Sequence, residues 1–185
     1  MNLLLKKLIP FERKFTVSDY KIEIEPIGII NSPFRSVADN IPIQGRLKSD
    51  AEGIVKIFPE YTEGLKDVEG FSHVFLLYYF HKSPVVKLIA RPYMDNERRG
   101  VFSIRSPHRP NHIGLTLVEL LGVEDSMLKV KGLDIINDTP LLDIKPYNPF
   151  FDSVENASIG WMSRFFKDSD SPDIIINDKK EWLHK

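Results

Sequence analysis

The chain has 185 residues, a formal net charge of −1, 42% hydrophobic and 28% charged residues. That is the make-up of a soluble globular protein with one domain's worth of core. It excludes a polycation, so any contact with nucleic acid has to come from a local patch. There is no cysteine, which removes disulfides, thiolate metal sites and cysteine nucleophiles and fits a reducing compartment. No apolar run approaches the length of a membrane span, and the expectation is a cytoplasmic protein with no membrane partner.

Residues 1–19 read as a separate N-terminal arm. Leu4, Leu5 and Leu8 share a helix face, with Lys6, Lys7, Arg13 and Lys14 on the other sides. Lys6 and Lys7 interrupt the leucines and no small-residue cleavage site follows, so the arm is not read as a signal peptide. The domain proper is placed at 20–166 and a polar tail at 167–185. A strand is expected through Ile22 and Ile24 to Ile30, ended by the turn chemistry of Asn31-Ser32-Pro33. Residues 37–45 form a loop. The next strand is expected at 51–57, and Pro59 then opens a short helix at 60–65. Residues 72–81, S-H-V-F-L-L-Y-Y-F-H, are nearly all apolar or aromatic, which suggests a strand buried on both faces.

A linker runs over 82–94. From Arg91 to Arg109, five arginines face only Asp95 and Glu97, the most basic segment of the chain. Val101, Phe102 and Ile104 read as a strand, and 115–121 as a second strand bounded by Gly114 and Gly122. Between them lies Ser106-Pro107-His108-Arg109-Pro110-Asn111-His112. Two prolines stiffen this loop, and its arginines, histidines and asparagine make it a rigid, donor-rich loop suited to an anionic or polar ligand. Residues 129–136 alternate as a strand with a glycine inside, the mark of a bulge or a close backbone approach. Residues 137–140 turn the chain, and 141–144 form a further strand. Many short strands with Pro-rich connections indicate an all-β barrel or sandwich.

The string R-S-P-H-R-P-N-H-I-G-L-T at 105–116 resembles the signature of the TsaA-like (TrmO) family. P-I-Q-G at 42–45 matches that family's P-x-Q-G. L-D-I-I-N-D-T-P-L-L-D-I-K-P-Y at 133–147 matches L-D-x-x-D-G-T-P-V-x-D-I-K-P-Y. There are two departures: Asn137-Asp138 replaces Asp-Gly, and His112 replaces the commoner proline. If the family's glycine needs positive φ, Asp138 can still adopt it at some cost. The resemblance covers about 22–165. It implies a single-domain β-barrel with small helical insertions, S-adenosyl-L-methionine as cofactor, and methyl transfer to N6 of threonylcarbamoyl-adenosine beside the anticodon of tRNA. It also implies a homodimer, with the pocket near the subunit contact. Larger members carry a further C-terminal domain that this chain is expected to lack. The alternative is a non-catalytic barrel that binds S-adenosylmethionine or another nucleotide and regulates a partner. A third is a plain RNA-binding barrel using the arginine loop, Tyr78 and Phe80.

By that resemblance, Pro42, Ile43, Gln44, His81, Lys82, Arg105, Leu117, Asn137, Asp138, Thr139 and Pro140 fall on cofactor-contact positions. Arg105 follows an apolar strand and would need a partner if buried, for which a ligand carboxylate is suited. The anticodon stem-loop would meet the arginine-rich segment, with Arg109 or Arg99 pairing with the threonylcarbamoyl carboxylate. His81 and His108 are the candidate bases for the adenine nitrogen, with Asp143 and Tyr147 behind them; Arg109 joins the catalytic candidates. No Gly-x-Gly-x-x-Gly follows a strand, so a Rossmann-type methyltransferase is not indicated. His73, His81, His108 and His112 match no zinc spacing, and no metal is expected.

Overall fold

Side chains that alternate between apolar and polar build six strands, and these close on themselves. In chain order they are β1 (Gly28–Asn31), β2 (Glu52–Ile57), β3 (His73–Tyr79), β6 (Ile113–Glu124), β7 (Met127–Lys131) and β8 (Thr139–Pro146). Around the barrel the order is β1-β2-β7-β6-β3-β8, every neighbouring pair antiparallel. A two-stranded ribbon, β4 (Ile89–Ala90) with β5 (Arg99–Gly100), stands apart. The protein is therefore an all-β barrel with small helical pieces, as expected. The structure, a computed structural model, describes residues 22–36, 39, 41–42, 45, 49–93 and 95–165. The expected arm at 1–19 and tail at 167–185 lie outside the described residues, as do Ile43 and Gln44. Among the described residues no helix is long and apolar enough to cross a membrane.

The core fills the barrel. Ile30, Val55, Val74, Leu76, Val118, Leu128, Val130 and Leu141 point inward and are almost wholly buried. β3 corrects one expectation: it is not buried on both faces. Val74, Leu76 and Tyr78 face in, while Phe75, Leu77 and Tyr79 face out; the outward face is aromatic too, which hid the period of two. Register shifts at Leu77/Tyr78 and Leu120/Gly122 help bend the sheet round.

Other boundaries differ for local reasons. Residues 101–104 are not a strand. Val101–Ser103 is a 3-10 turn, and Ile104 N–H bonds back to Val101 O. Val101 and Ile104 are buried while Phe102 is 77% exposed, which is the spacing of three that such a turn gives. The strand expected at 115–121 runs through both of the glycines meant to bound it. The ladder expected from 22 begins only at Gly28, and Ile22 and Ile24 are exposed. The strand expected at 129–136 leaves its ladder after Lys131, because Gly132 turns the backbone at φ +93°. The strand expected at 141–144 starts earlier, inside the 137–140 turn.

Gly114 has a specific steric reason. A Cβ there would lie 2.4 Å from the Tyr78 ring, which packs across β6. Gly114→Ala should therefore lower stability by about 1–3 kcal/mol, read as a fall in the thermal midpoint. An unchanged midpoint would show that the Tyr78 ring has room to move.

Candidate functional site at the barrel mouth

Antiparallel order decides which segments meet. The C-terminal ends of β1, β7 and β3 and the N-terminal ends of β2, β6 and β8 all fall at one end of the barrel. That mouth gathers Asn31 to Phe34, Gly132 to Asp134, Phe80 and His81, the loop entering β6, and 137–140. The strings at 105–116 and 133–147 thus converge although they are apart along the chain. Gly45 joins them: its N–H donates to Asp134 Oδ2 at 3.0 Å, and a Cβ there would lie 1.8 Å from Gly132 O.

The 137–140 turn is fixed by its own polar atoms. Asn137 is buried; its Oδ1 accepts from Ser32 N–H at 3.0 Å and its N–H donates to Phe34 O at 2.6 Å. Asp138 has φ +60°, so it does occupy the left-handed region, and its Oδ1 accepts from Asn31 Nδ2 at 3.0 Å. Pro140 pairs with Ile29 in the ladder.

Thr139 sets the state of His81. Its hydroxyl donates its single proton to Ile136 O at 2.6 Å. The contact between Thr139 Oγ1 and His81 Nδ1 at 3.3 Å therefore has the histidine donating, and the lone pair is left on Nε2. Burial, and then the charge of Lys82, hold the His81 pKa below its ordinary value, so the ring is neutral near pH 7. Lys82 itself is exposed.

The other expected residues are placed differently. His108 Nδ1 meets Ser83 Oγ at 3.0 Å, its carbonyl accepts from Lys87 N–H, and burial lowers its pKa; it braces the 83–87 loop. Arg109 Nη1 donates to Val101 O at 3.0 Å and Ile104 O at 2.9 Å, and its guanidinium lies 5.8 Å from the Phe102 ring. Arg109 thus fastens the 3-10 turn. Arg99 is held by Asp95 and Glu97 and stacks 4.5 Å over Trp161. Both arginines are engaged with these protein groups in the chain by itself. Arg105 is exposed, so the condition that it be buried does not hold; its charge is felt by Asp134 and Tyr78 at the mouth. Leu117 pairs with Phe75 and points outward, half-buried. Measured along β3 it lies four residues, about 13 Å, from the mouth, so one chain alone does not bring it to the 137–140 turn. Among the described residues no group of three or more histidine, aspartate or glutamate side chains is arranged to hold a metal.

Sequence reasoning missed Asp134 and Thr116, which form with Tyr78 a hydrogen-bonded row at the mouth; Tyr78 was expected only as an RNA-stacking aromatic. A signal was present: Asp134 sits between the apolar Leu133 and Ile135, and Thr116 between Leu115 and Leu117.

A family model described as the tRNA-methyltransferase O N-terminal domain matches residues 29–153. The chain belongs to this family. A probable S-adenosyl-L-methionine-binding protein of Pyrococcus abyssi is 50% identical over 139 residues, 75% of this chain and 75% of that protein. A human tRNA (adenine(37)-N6)-methyltransferase is 40% identical over 140 residues, 72% of this chain but 32% of that protein. A crystal structure of TrmO from Pseudomonas aeruginosa, 38% identical, superposes with a TM-score of 0.65 over 76% of this chain and 62% of that one. The chain thus spans about a third of the human enzyme and under two thirds of the solved TrmO chain. Every mouth segment from Asn31 to Pro140 lies inside the family match.

The basic segment has its own clamp. Asp95 is buried and accepts from Arg99 and Arg164, while Trp161 Nε1 donates to Ser103 O at 2.9 Å. The Arg99 hydrogen bond, against the pull of burial, holds the Asp95 pKa down at about 2. A lowered folded-state pKa stabilises the protein above the ordinary value of 3.8 and loses that effect as pH falls toward 2. Asp95→Asn should therefore lower the thermal midpoint at neutral pH, with the gap to the parent closing as pH drops through that window. A gap that is constant with pH would rule the ion pairs out as the cause.

Proposed function

We propose that the chain is a cytoplasmic S-adenosylmethionine-dependent tRNA methyltransferase that modifies N6 of threonylcarbamoyl-adenosine beside the anticodon. The observation that carries this reading is His81 at the barrel mouth, with its Nδ1–H held by Thr139 and a free lone pair on Nε2. The groups around it suit the cofactor: a cation at Arg105, amide and carboxylate groups at Asn137 and Asp138, and the apolar surfaces of Phe80 and Pro140. Pro42, Ile43, Gln44 and Lys82 belong to the same proposed lining. When bound, the cofactor supplies an electrophilic methyl group.

The protein's part is alignment and proton removal. Bond formation at the adenine nitrogen makes its proton acidic, and a neutral imidazole within reach accepts it. His81 is assigned that role. His108 and Arg109 hold the loop that frames the mouth, so they position rather than react. An unstacked adenine of an anticodon loop is the kind of base that enters such a pocket.

Two measurements test the reaction. Methyl transfer to tRNA carrying threonylcarbamoyl-adenosine is expected, with unmodified transcripts as poor substrates; labelling of neither would favour a non-catalytic binding barrel, and equal labelling would remove the modification from recognition. His81→Ala should lower kcat by about 10²–10⁴-fold. In the parent, activity should fall on acidification only below the ordinary histidine value of 6.5, because the lowered pKa keeps the base free to lower pH.

The chain is further proposed to act as a homodimer. The outward face of β3 and β6 carries Tyr79, Ile113 and Leu115, exposed by 41%, 37% and 48%, with Phe75 and Leu117 beside them. A second copy on this wall would place Leu117 at a subunit contact. Leu115→Glu should then give a monomer by light scattering, and a parent that is itself monomeric at working concentration would refute the assembly.

A further inference from the structure

The row at the mouth has a direction. Thr116 donates its hydroxyl proton to Asp134 Oδ1 at 2.8 Å. Its oxygen, 3.2 Å from Tyr78 Oη, is then the acceptor of the tyrosine proton. Gly45 N–H donates to Asp134 Oδ2 at 3.0 Å. Donors arrive on both carboxylate oxygens, one from β6 and one from the 42–45 segment. An acceptor-only group, an ionised carboxylate, satisfies both. A protonated acid would set a hydroxyl against one of these donors.

The anchor is specific to the backbone of Gly45. A Cβ at that position would fall 1.8 Å from Gly132 O, so the segment lies directly on the turn that precedes Asp134. Arg105, in the loop entering β6, contributes a charge that acts on both Asp134 and Tyr78. Asp134 therefore ties together Gly45, β6 through Thr116, and β3 through Thr116 and Tyr78.

We propose that Asp134 is a positioning residue of the methyl-donor pocket: its carboxylate fixes the Gly45 amide at the mouth and ties it to Thr116 of β6. This rests on the reading of the mouth as the S-adenosylmethionine site. Burial drives the Asp134 pKa above its ordinary 3.8, offset by the bonds from Thr116 and Gly45 and by Arg105. For stability the sign is adverse. A raised folded-state pKa favours the fold while the group is protonated, and that contribution is lost as pH rises. Ionised Asp134 therefore contributes less to stability than it would at its ordinary pKa.

Among the groups near Asp134, β6 offers Thr116, β3 offers Tyr78, whose burial moves it far upward, the loop offers the charge of Arg105, and Gly45 offers an amide. His81 and His108, both lowered by burial, also titrate, so the difference between parent and variant is the informative quantity.

Asp134→Asn is the test, because an amide keeps the shape and can still accept from Gly45 and bond to Thr116. Calorimetric titration with S-adenosylmethionine should show at least about tenfold weaker binding, while the thermal midpoint of the free variant at neutral pH is equal to or above the parent's. Parent affinity should fall as pH is lowered toward the Asp134 range, which lies above 3.8, more steeply than that of the variant. In the free protein the Gly45 amide resonance should move with pH in the parent and stay flat in the variant. Equal affinity with equal pH profiles would overturn the proposal. So would a lowered midpoint with a static Gly45 resonance, which marks a purely structural carboxylate. A parent that binds no S-adenosylmethionine while its Gly45 resonance still titrates would remove the cofactor reading and the positioning role with it, leaving only the anchor.

Discussion

Three residue pairs close this molecule: Gly28 with Leu141, Ile29 with Pro140, and Ile30 with Thr139. They join the first and last barrel strands, whose pairing spans more than a hundred residues of chain. Without them β1 and β8 would be open edges, with unpaired backbone groups facing solvent. With them, alternate strand ends are forced to one mouth. The same pairs place Thr139 and Pro140 at that mouth, so closure of the barrel and assembly of the site are one event.

The inward positions grade from apolar to polar toward the mouth. Along β6 they read Val118, Thr116, Gly114; along β3, Val74, Leu76, Tyr78; along β8, from the mouth inward, Thr139 and Leu141. Hydrophobic packing anchors the deep half, and hydrogen bonds organise the other. Positive-φ residues also gather there: Asp138 at +60°, Gly132 at +93°, and His112 at +49° at the entry to β6. The left-handed region is also used at Asp125 in the hairpin at the other end, so what marks the mouth is its mostly buried carboxylate, which a purely structural barrel end would shed.

Much of this was legible because strand periodicity and turn chemistry are local. The 137–140 turn follows from residue type, and the glycine at 132 signalled a bulge or a close approach; the left-handed Asp138 was legible only through the glycine that the resembling family carries there. The direction a side chain faces was harder to read. Leu117 looks like a core or pocket leucine, yet the period of two sets it outside, next to Phe75. Four residues at 101–104 cannot distinguish a period of two from one of three, and the anchor that decides it, Val101 N–H on Leu88 O, is a nonlocal bond. Asp134 went unremarked because its partners come from Gly45 and Thr116, far away along the chain.

The arginines show the same limit in electrostatic form. A count of charges between Arg91 and Arg109 describes a patch, but it does not say which charges are already engaged. Arg99 lies on Asp95, Glu97 and Trp161, and Arg109 caps the carbonyls of Val101 and Ile104. Two of the five cations therefore act inward, as struts that make the loop rigid. The positive potential left for an RNA backbone is smaller than the composition suggests, on a chain whose net charge is already −1. Phosphate contacts mainly set register and affinity. With fewer of them on offer, discrimination in the proposed reaction shifts to the mouth itself, where the shape and hydrogen bonding of a single everted base are read.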